Sequence, residues 1–275
     1  MENLGNPNKT LELIKSHDFS IQKKYGQNFL IEANVLSSIV SAAGITKDDI
    51  VLEIGPGMGV LTQFLLQNQN LNLKVIEIDT ESVEYLEEHF PELDGRIISA
   101  DFLRYDLDSL FGEKFSLIGN FPYNISNSIL FTVFEHRNSI PLVAGMFQKE
   151  VAERIAARPK NKTYGILSVL LSAFYDIEYL FTVDENVFNP PPKVKSAVIR
   201  LKRNSVLSLP CDEKLFVNVV KAGFNQRRKT LRNALKAMNL PLDNVPQNLL
   251  QSRAEQLSVE EFITITRILQ NSEKQ

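Results

Sequence analysis

The sequence contains one cysteine, Cys211, and a single thiol cannot bridge internally, so nothing in it requires an oxidising compartment. No apolar run approaches the ~20 residues needed to span a bilayer. The opening stretch, Met1 to Asn8, lacks the basic-then-apolar pattern of a signal peptide. The expectation is a cytoplasmic protein that neither is exported nor crosses a membrane. An excess of positive charge is also missing: Lys and Arg number 30 against 33 Asp and Glu, a formal net charge of -3. That balance argues against a protein that merely coats nucleic acid, which needs surplus bases to neutralise phosphates. Internal repeats and low-complexity tracts are absent, and no metal site is expected.

What remains is an ordinary globular composition, 44% hydrophobic and 23% charged, with apolar side chains enough for a sizeable core. Single cores stop growing at roughly 250 to 300 residues, so 275 residues suggest a catalytic domain with a smaller appendage. Charge is unevenly spread. Acids dominate from Glu77 to Asp94, whereas Lys193 to Arg203 and Lys221 to Lys236 contain bases and no acids, a pattern that can give a basic face on an acidic molecule.

Along the chain, residues 1–30 read as a polar arm ending in Gln27-Asn28-Phe29-Leu30. Val35 to Ala43 has helical spacing. Short apolar runs then alternate with amphipathic stretches. Strands are expected at Ile50 to Ile54, Leu73 to Ile78, Arg96 to Ser99, Phe115 to Gly119 and Leu142 to Phe147. Helices are expected at Val60 to Leu66, Ser82 to Phe90, Ser126 to Phe134 and Lys149 to Ala157. Near-continuous apolar strands joined by helices indicate a mostly parallel sheet covered on both faces, an α/β fold of Rossmann-like type. Ile177 to Phe181 and Ala197 to Leu201 flank Pro190-Pro191-Pro192 and are expected to finish the sheet antiparallel. From Asp212 onward the pattern is helical. The expected division is therefore an arm at 1–30, an α/β domain at 31–205 and a small all-helical domain at 206–275.

Glu53-Ile54-Gly55-Pro56-Gly57-Met58-Gly59 lies between a strand and a helix, where glycines let the backbone approach a ligand. A dinucleotide dehydrogenase would show G-x-G-x-x-G. Here the third glycine comes one residue early, a spacing similar to the first motif of class I methyltransferases, which use S-adenosylmethionine. At the end of the next strand, Glu77 can accept hydrogen bonds from two ribose hydroxyls. Asp79 can instead cap the following helix. Asp101, after the third strand, is suited to accept from an adenine amino group, or it simply forms a turn.

Asn120-Phe121-Pro122-Tyr123 follows the fourth strand. An exocyclic aromatic amine is a poor nucleophile because its lone pair is conjugated with the ring. Two acceptors aimed at its hydrogens, the Asn120 side-chain oxygen and a backbone carbonyl at Phe121 or Pro122, would pull the nitrogen towards tetrahedral geometry. Pro122 stiffens the backbone and Tyr123 offers a flat surface for a base. No strong general base is needed, so catalysis can rest on alignment and electrostatics. Phe188, in Val187-Phe188-Asn189-Pro190-Pro191-Pro192-Lys193-Val194, is the candidate second stacking surface, with core packing as its alternative; Lys193 adds a phosphate contact.

Together, in this order, Gln27 to Leu30, Glu53 to Gly59, Glu77, Asp101, Asn120 to Tyr123 and Phe188 to Ser196 resemble the ribosomal RNA adenine dimethyltransferases over most of the chain. The resemblance implies that Asn28 and Leu30 close over the methionine end of the cofactor, that Gly55 and Gly57 lie beneath it, and that Glu77, Asp101 and Asn120 bind it. It also implies transfer of two methyl groups to each target adenine. Gly223 to Asn233 and Arg253 to Ser258 resemble the small-subunit branch, the kasugamycin-resistance type. Its implied substrate is two adjacent adenosines near the 3′ end of 16S RNA in the small ribosomal subunit, with a role in subunit biogenesis. Ala254, Gln256 and Phe121 depart from the usual pattern. On helical spacing, Phe224, Leu231, Leu235 and Met238 form one stripe and leave Arg228, Arg232 and Lys236 on another, which with Arg227 and Lys229 suits RNA phosphates. Nothing demands more than a monomer. Three rivals stay open: an enzyme of the same chemistry acting on large-subunit RNA, an amide methyltransferase acting on protein glutamine, and a non-catalytic ribosome-assembly factor.

Overall fold

A computed structural model of the chain describes residues 29–30, 32–46, 49–68, 71–189 and 191–272. Asn28 and the rest of the expected arm before Phe29 lie outside them. The chain divides into two compact units, Met1–Ala152 with Glu178–Arg203, and Glu153–Ile177 with Asn204–Gln275. The expected boundary at 205 falls beside the crossing at Arg203. Segment 153–177, expected within the α/β part, is grouped with the helical unit instead.

The elements of the first unit run β1 (Phe29–Leu30), α1 (Ala33–Ala43), β2 (Ile50–Ile54), α2 (Thr62–Leu66), β3 (Asn72–Glu77), α3 (Thr80–His89), β4 (Ile97–Ser99), α4 (Asp108–Phe111), β5 (Ser116–Asn120), α5 (Ser126–Glu135), β6 (Leu142–Gln148) and the start of α6 (Lys149–Ile155). After an excursion through α7 (Ile166–Ser172), the chain re-enters along β7 (Tyr175–Val183) and continues into β8 (Phe188–Asn189) and β9 (Ser196–Arg203). The seven-stranded sheet has the order β4-β3-β2-β5-β6-β9-β7. β4, β3, β2, β5 and β6 are parallel, and β9 runs antiparallel to β6 with Gly145 opposite Ile199. The central strands are apolar because helices cover both faces: Val51, Leu52, Val75, Leu117, Ile118, Val143 and Ala144 are all fully buried.

Strand order reverses between β2 and β5, which are neighbours although β3 and β4 separate them in sequence. In open α/β sheets the crevice outside the carboxyl ends of strands at such a switch point is where ligands bind. The glycine turn leaves β2 there, and Asn120 ends β5 there. Beside this sheet, β1 pairs antiparallel with β8, setting Leu30 opposite Phe188.

The second unit contains α7, α8 (Glu213–Asn225), α9 (Leu231–Leu235), α10 (Gln247–Gln251) and α11 (Val259–Ser272). Asp212 caps α8 by accepting the Leu215 N–H at 2.7 Å. Phe216, Val219, Val220 and Gly223 of α8 are buried, as are Phe262, Ile265 and Leu269 of α11. The continuous helical stripe expected from Phe224 to Met238 does not form. α8 ends at Asn225, residues 226–230 turn, and the Leu231 N–H donates to the Ser252 carbonyl at 2.8 Å as α9 begins. Arg228 therefore lies in a turn, and Arg232 and Lys236 do not continue its helix.

Candidate active site

A cavity of about 290 Å³ opens at the switch point. Leu30, Gly55, Gly57, Glu77, Asp101 and Asn120 line it, and so do Phe121, Pro122 and Tyr123. Every candidate cofactor residue within the described part of the chain is thus brought to one place.

The turn after β2 is built on left-handed backbone, with φ of +66° at Gly55 and +54° at Gly57. A Cβ at Gly55 would lie 3.5 Å from Cγ of Pro122, so the glycine turn and the Asn-Phe-Pro-Tyr segment approach each other closely. The Gly57 N–H donates to Glu77 Oε2 at 3.0 Å, while Ile78 and Asp79 donate their N–H groups to Oε1 at 2.8 and 2.9 Å. Burial pushes the Glu77 carboxyl up from the ordinary carboxylate range, and these three donors oppose it. Asp79 takes the capping role, accepting from the Ser82 N–H at 3.2 Å and the Ser82 hydroxyl at 2.7 Å. Asp101 both lines the cavity and caps a short turn, accepting the Leu103 N–H at 3.0 Å and facing Arg104 Nε at 3.5 Å.

Phe121 points into the protein. Its ring lies 4.6 Å from that of Phe147, and its N–H donates to the Met146 carbonyl at 3.1 Å. Two glycines make room for it: a Cβ on Gly145 would come within 2.6 Å of the ring, and one on Gly119 within 3.2 Å. The Pro122 carbonyl accepts the Ile125 N–H at 3.2 Å. Tyr123 shares a hydrogen bond with the Ser196 hydroxyl, and burial pushes its phenol up. Phe188 is 3% exposed, belongs to the apolar core with Leu30 and Leu36, and is not among the lining residues. It sits in that core opposite Leu30 of β1, where the packing alternative would place it.

Two residues given no role from sequence stand out. Glu53, on β2, is 1% exposed, lines the cavity and accepts the Thr62 hydroxyl at 2.7 Å. Burial pushes its carboxyl up to about 8, with the Thr62 bond opposing and nearby Glu77 adding to the rise. The available signal was an acid inside an otherwise apolar strand. Ser196, buried at the start of β9, gave none.

Of the basic residues, Lys193, Arg228, Lys229 and Lys236 are exposed. Arg227 is engaged with the Lys162 carbonyl and lies 3.9 Å from Glu255 Oε2, and Arg232 donates to Gln247 Oε1 at 2.9 Å. Arg227 borders a cleft of about 520 Å³ in the helical unit, together with Lys160, Lys162 and Arg253. The Lys160 N–H donates to the Glu255 carbonyl at 2.7 Å, tying the loop after α6 to the Arg253-to-Gln256 turn.

The set of acceptors fits S-adenosylmethionine. Carboxylates and an amide can accept from ribose hydroxyls and an adenine amine, and no lysine, arginine or histidine among the described residues lines the cavity to repel a sulfonium.

The profile of the ribosomal RNA adenine dimethylase family matches residues 18–271. This chain belongs to that family. It is 59% identical over 251 residues to the ribosomal RNA small subunit methyltransferase A of Cytophaga hutchinsonii, covering 90% of this chain and 96% of the relative. The protein of the same name from Flavobacterium johnsoniae is 56% identical, with 90% and 94% covered. Among solved structures, a dimethyladenosine transferase from Plasmodium falciparum superposes with a TM-score of 0.70 at 26% identity, covering 85% and 94%. The 23S rRNA methyltransferase ErmE gives 0.64 at 26%, covering 87% and 99%. The dimethylase chain is an S-adenosylmethionine-dependent methyltransferase of class I fold, with ribosomal RNA as its substrate class. No helix among its described residues is long and apolar enough to cross a membrane.

Proposed function

We propose that this dimethylase transfers methyl groups from S-adenosylmethionine to the exocyclic amines of two adjacent adenosines near the 3′ end of 16S RNA, giving N6,N6-dimethyladenosines. It acts as a cytoplasmic monomer on the small subunit during its biogenesis. The observation that carries the reading is the position of Asn120 to Tyr123 in the same cavity wall as Glu77 and Asp101. It is supported by the 59% identity to a small-subunit methyltransferase across nearly the whole of both chains.

When bound, the cofactor supplies an electrophilic methyl on a sulfonium. Gly55 and Gly57 keep the wall beneath it low, Glu77 accepts from the ribose, and Asp101 accepts from the adenine. The Asn120 oxygen and the Phe121 carbonyl accept from the target amine and turn its lone pair away from the ring. The Pro122 carbonyl is the weaker candidate for that second acceptor, since the Ile125 N–H already occupies it. Ser196 holds the Tyr123 hydroxyl and thereby sets the ring against which the base would lie. Water takes the proton, so the site works by alignment and fixed dipoles.

Lys193 in the first unit and Arg228, Lys229 and Lys236 in the second are assigned to RNA phosphates, and so are Lys160, Lys162 and Arg253, which line the cleft of the second unit. Arg227 and Arg232 act in part as braces within the second unit. The second reading, action on large-subunit RNA, draws on the likeness to ErmE, at less than half the identity of the small-subunit relatives.

Incubation with tritiated S-adenosylmethionine and, separately, unmethylated small subunits, large-subunit RNA and protein release factors tests this reading. Dimethyladenosine confined to small subunits is expected. Label in large-subunit RNA would move the protein to the other branch, and label only in protein would overturn the substrate assignment.

A further inference from the structure

Three carboxylates line the cavity, and they are held differently. Asp101 has a side chain 33% exposed and lies near Arg104. Glu77 receives three backbone N–H donors, which favour its charged form. Glu53 receives one hydrogen bond, from Thr62, and is 1% exposed.

Among the described residues, the elements around Glu53 bring it no cation. β3 supplies Glu77 as a like charge. The lysine on that strand, Lys74, is directed elsewhere, donating to the Leu110 carbonyl at 3.0 Å and lying over the Phe111 ring. α2 supplies the Thr62 hydroxyl, and Gln63 beside it donates to the Val60 carbonyl. β5 places Ile118 opposite Glu53. An ionised carboxylate here is poorly solvated and repelled by Glu77, and none of the described residues lining the cavity supplies the positive charge that would offset it.

We propose that Glu53 senses the sulfonium charge of the bound cofactor: its carboxyl is the neutral acid in the free protein and gives up its proton when the sulfonium, the one positive charge the demethylated product lacks, occupies the cavity. The sulfonium form of the cofactor is then bound with release of a proton, and the neutral thioether left after methyl transfer is bound without it. Relative affinity for the two forms becomes pH-dependent, and the demethylated product leaves a carboxyl free to take a proton back. The direction of the Glu53 carboxyl, pushed up to about 8, agrees. The inference rests on the cofactor assignment above.

Titration calorimetry of the full chain with S-adenosylmethionine and with S-adenosylhomocysteine, in buffers of different ionisation enthalpy, counts the protons. Between about pH 6 and pH 7, the sulfonium form should release close to one proton more than the thioether, and its relative affinity should rise about tenfold per unit of pH. Both ligands carry an α-amino group that titrates on its own, so the decisive comparison is with Glu53→Gln, in which the extra pH-dependence should vanish. Thr62→Val removes the hydroxyl donor and should move the window to higher pH, which keeps the inference exposed if Glu53→Gln folds poorly. Equal proton counts for the two ligands in the parent, or an undiminished difference in Glu53→Gln, would overturn it. Failure of both ligands to bind would instead strike the cofactor assignment, and the inference with it.

Discussion

The Gly57 N–H donates to the Glu77 carboxylate at 3.0 Å, so the turn after β2 and the acid ending β3 form one hydrogen-bonded wall. Replacing Glu77 by Gln keeps the size but turns an amide donor towards backbone donors. Hydrogen bonds to charged groups are worth about 1.5–3 kcal/mol, so cofactor affinity should fall about tenfold or more. Calorimetry reads the affinity and a thermal melt the accompanying loss of stability. Unchanged affinity would remove Glu77 from the cofactor site.

Phe121→Leu should cost about 1 kcal/mol of stability because Phe147 loses its aromatic neighbour, with kcat close to that of the parent, because the backbone of the tetrapeptide is retained. Gly145→Ala should cost more, since its Cβ would meet the Gly119 carbonyl at 2.2 Å. Urea unfolding of both variants, beside single-turnover methylation, separates packing from chemistry. A large drop in kcat for Phe121→Leu would give the ring a role that its burial does not suggest.

Asn120→Ala removes an acceptor from the proposed amine site. Loss of one such preorganised group typically costs about 100-fold or more in kcat, while subunit binding, which depends on the basic surface, should stay near that of the parent. Filter binding and methyl transfer measured on the same preparation check both halves. Normal turnover would sink the mechanism.

Glu53 makes the stability of the free protein depend on pH. Its carboxyl is raised from 4.5 to about 8 on folding, so the folded chain binds a proton that the unfolded chain releases. The resulting stability is fully present below about pH 4.5 and is lost as pH rises to about 8, by up to about 1.4 kcal/mol per unit. Urea midpoints across that window should fall more steeply for the parent than for Glu53→Gln. Parallel curves would place the carboxyl at an ordinary acidity.

Charge reversal at Lys160 and Lys162, both exposed, should leave the fold intact and weaken subunit binding. The slope of log affinity against log salt should become shallower by about one for each phosphate no longer neutralised. Arg227→Ala should instead lower the melting temperature, because that guanidinium holds the Lys162 carbonyl and sits by Glu255. Binding and salt slope unchanged in the double reversal would remove the cleft from the RNA surface.

The sheet was legible because strands buried on both faces read as apolar runs. β2 matches its expected span residue for residue, and most other strand ends shift by a residue or two. The cofactor wall was legible because glycines and acids at strand ends have few other uses. Other features were hidden for identifiable reasons. Seven residues separate Phe224 from Leu231, about two helical turns, so the apolar pattern stays in phase across a break that the sequence does not mark. α7 is buried nearly all round, from Leu167 to Leu171, and carries no amphipathic signature. The burial of Phe188 beside Leu30 brings together strands more than a hundred residues apart, and the state of Glu53 depends on its neighbours in three dimensions.

The excursion through α7 has a consequence for the order in which the molecule can be built. This helix packs against α8, and the loop preceding it is stitched to the Arg253-to-Gln256 turn. The ribosome therefore delivers α7 while β7, β8 and β9 are still unmade and long before its own packing partners emerge. Its apolar sides must wait, shielded or exposed, until α8 and α11 have been made. The helices from Asn204 onward released alone would lack α7 and the loop before it, so that stretch is not a detachable module but the completion of a unit begun at Glu153.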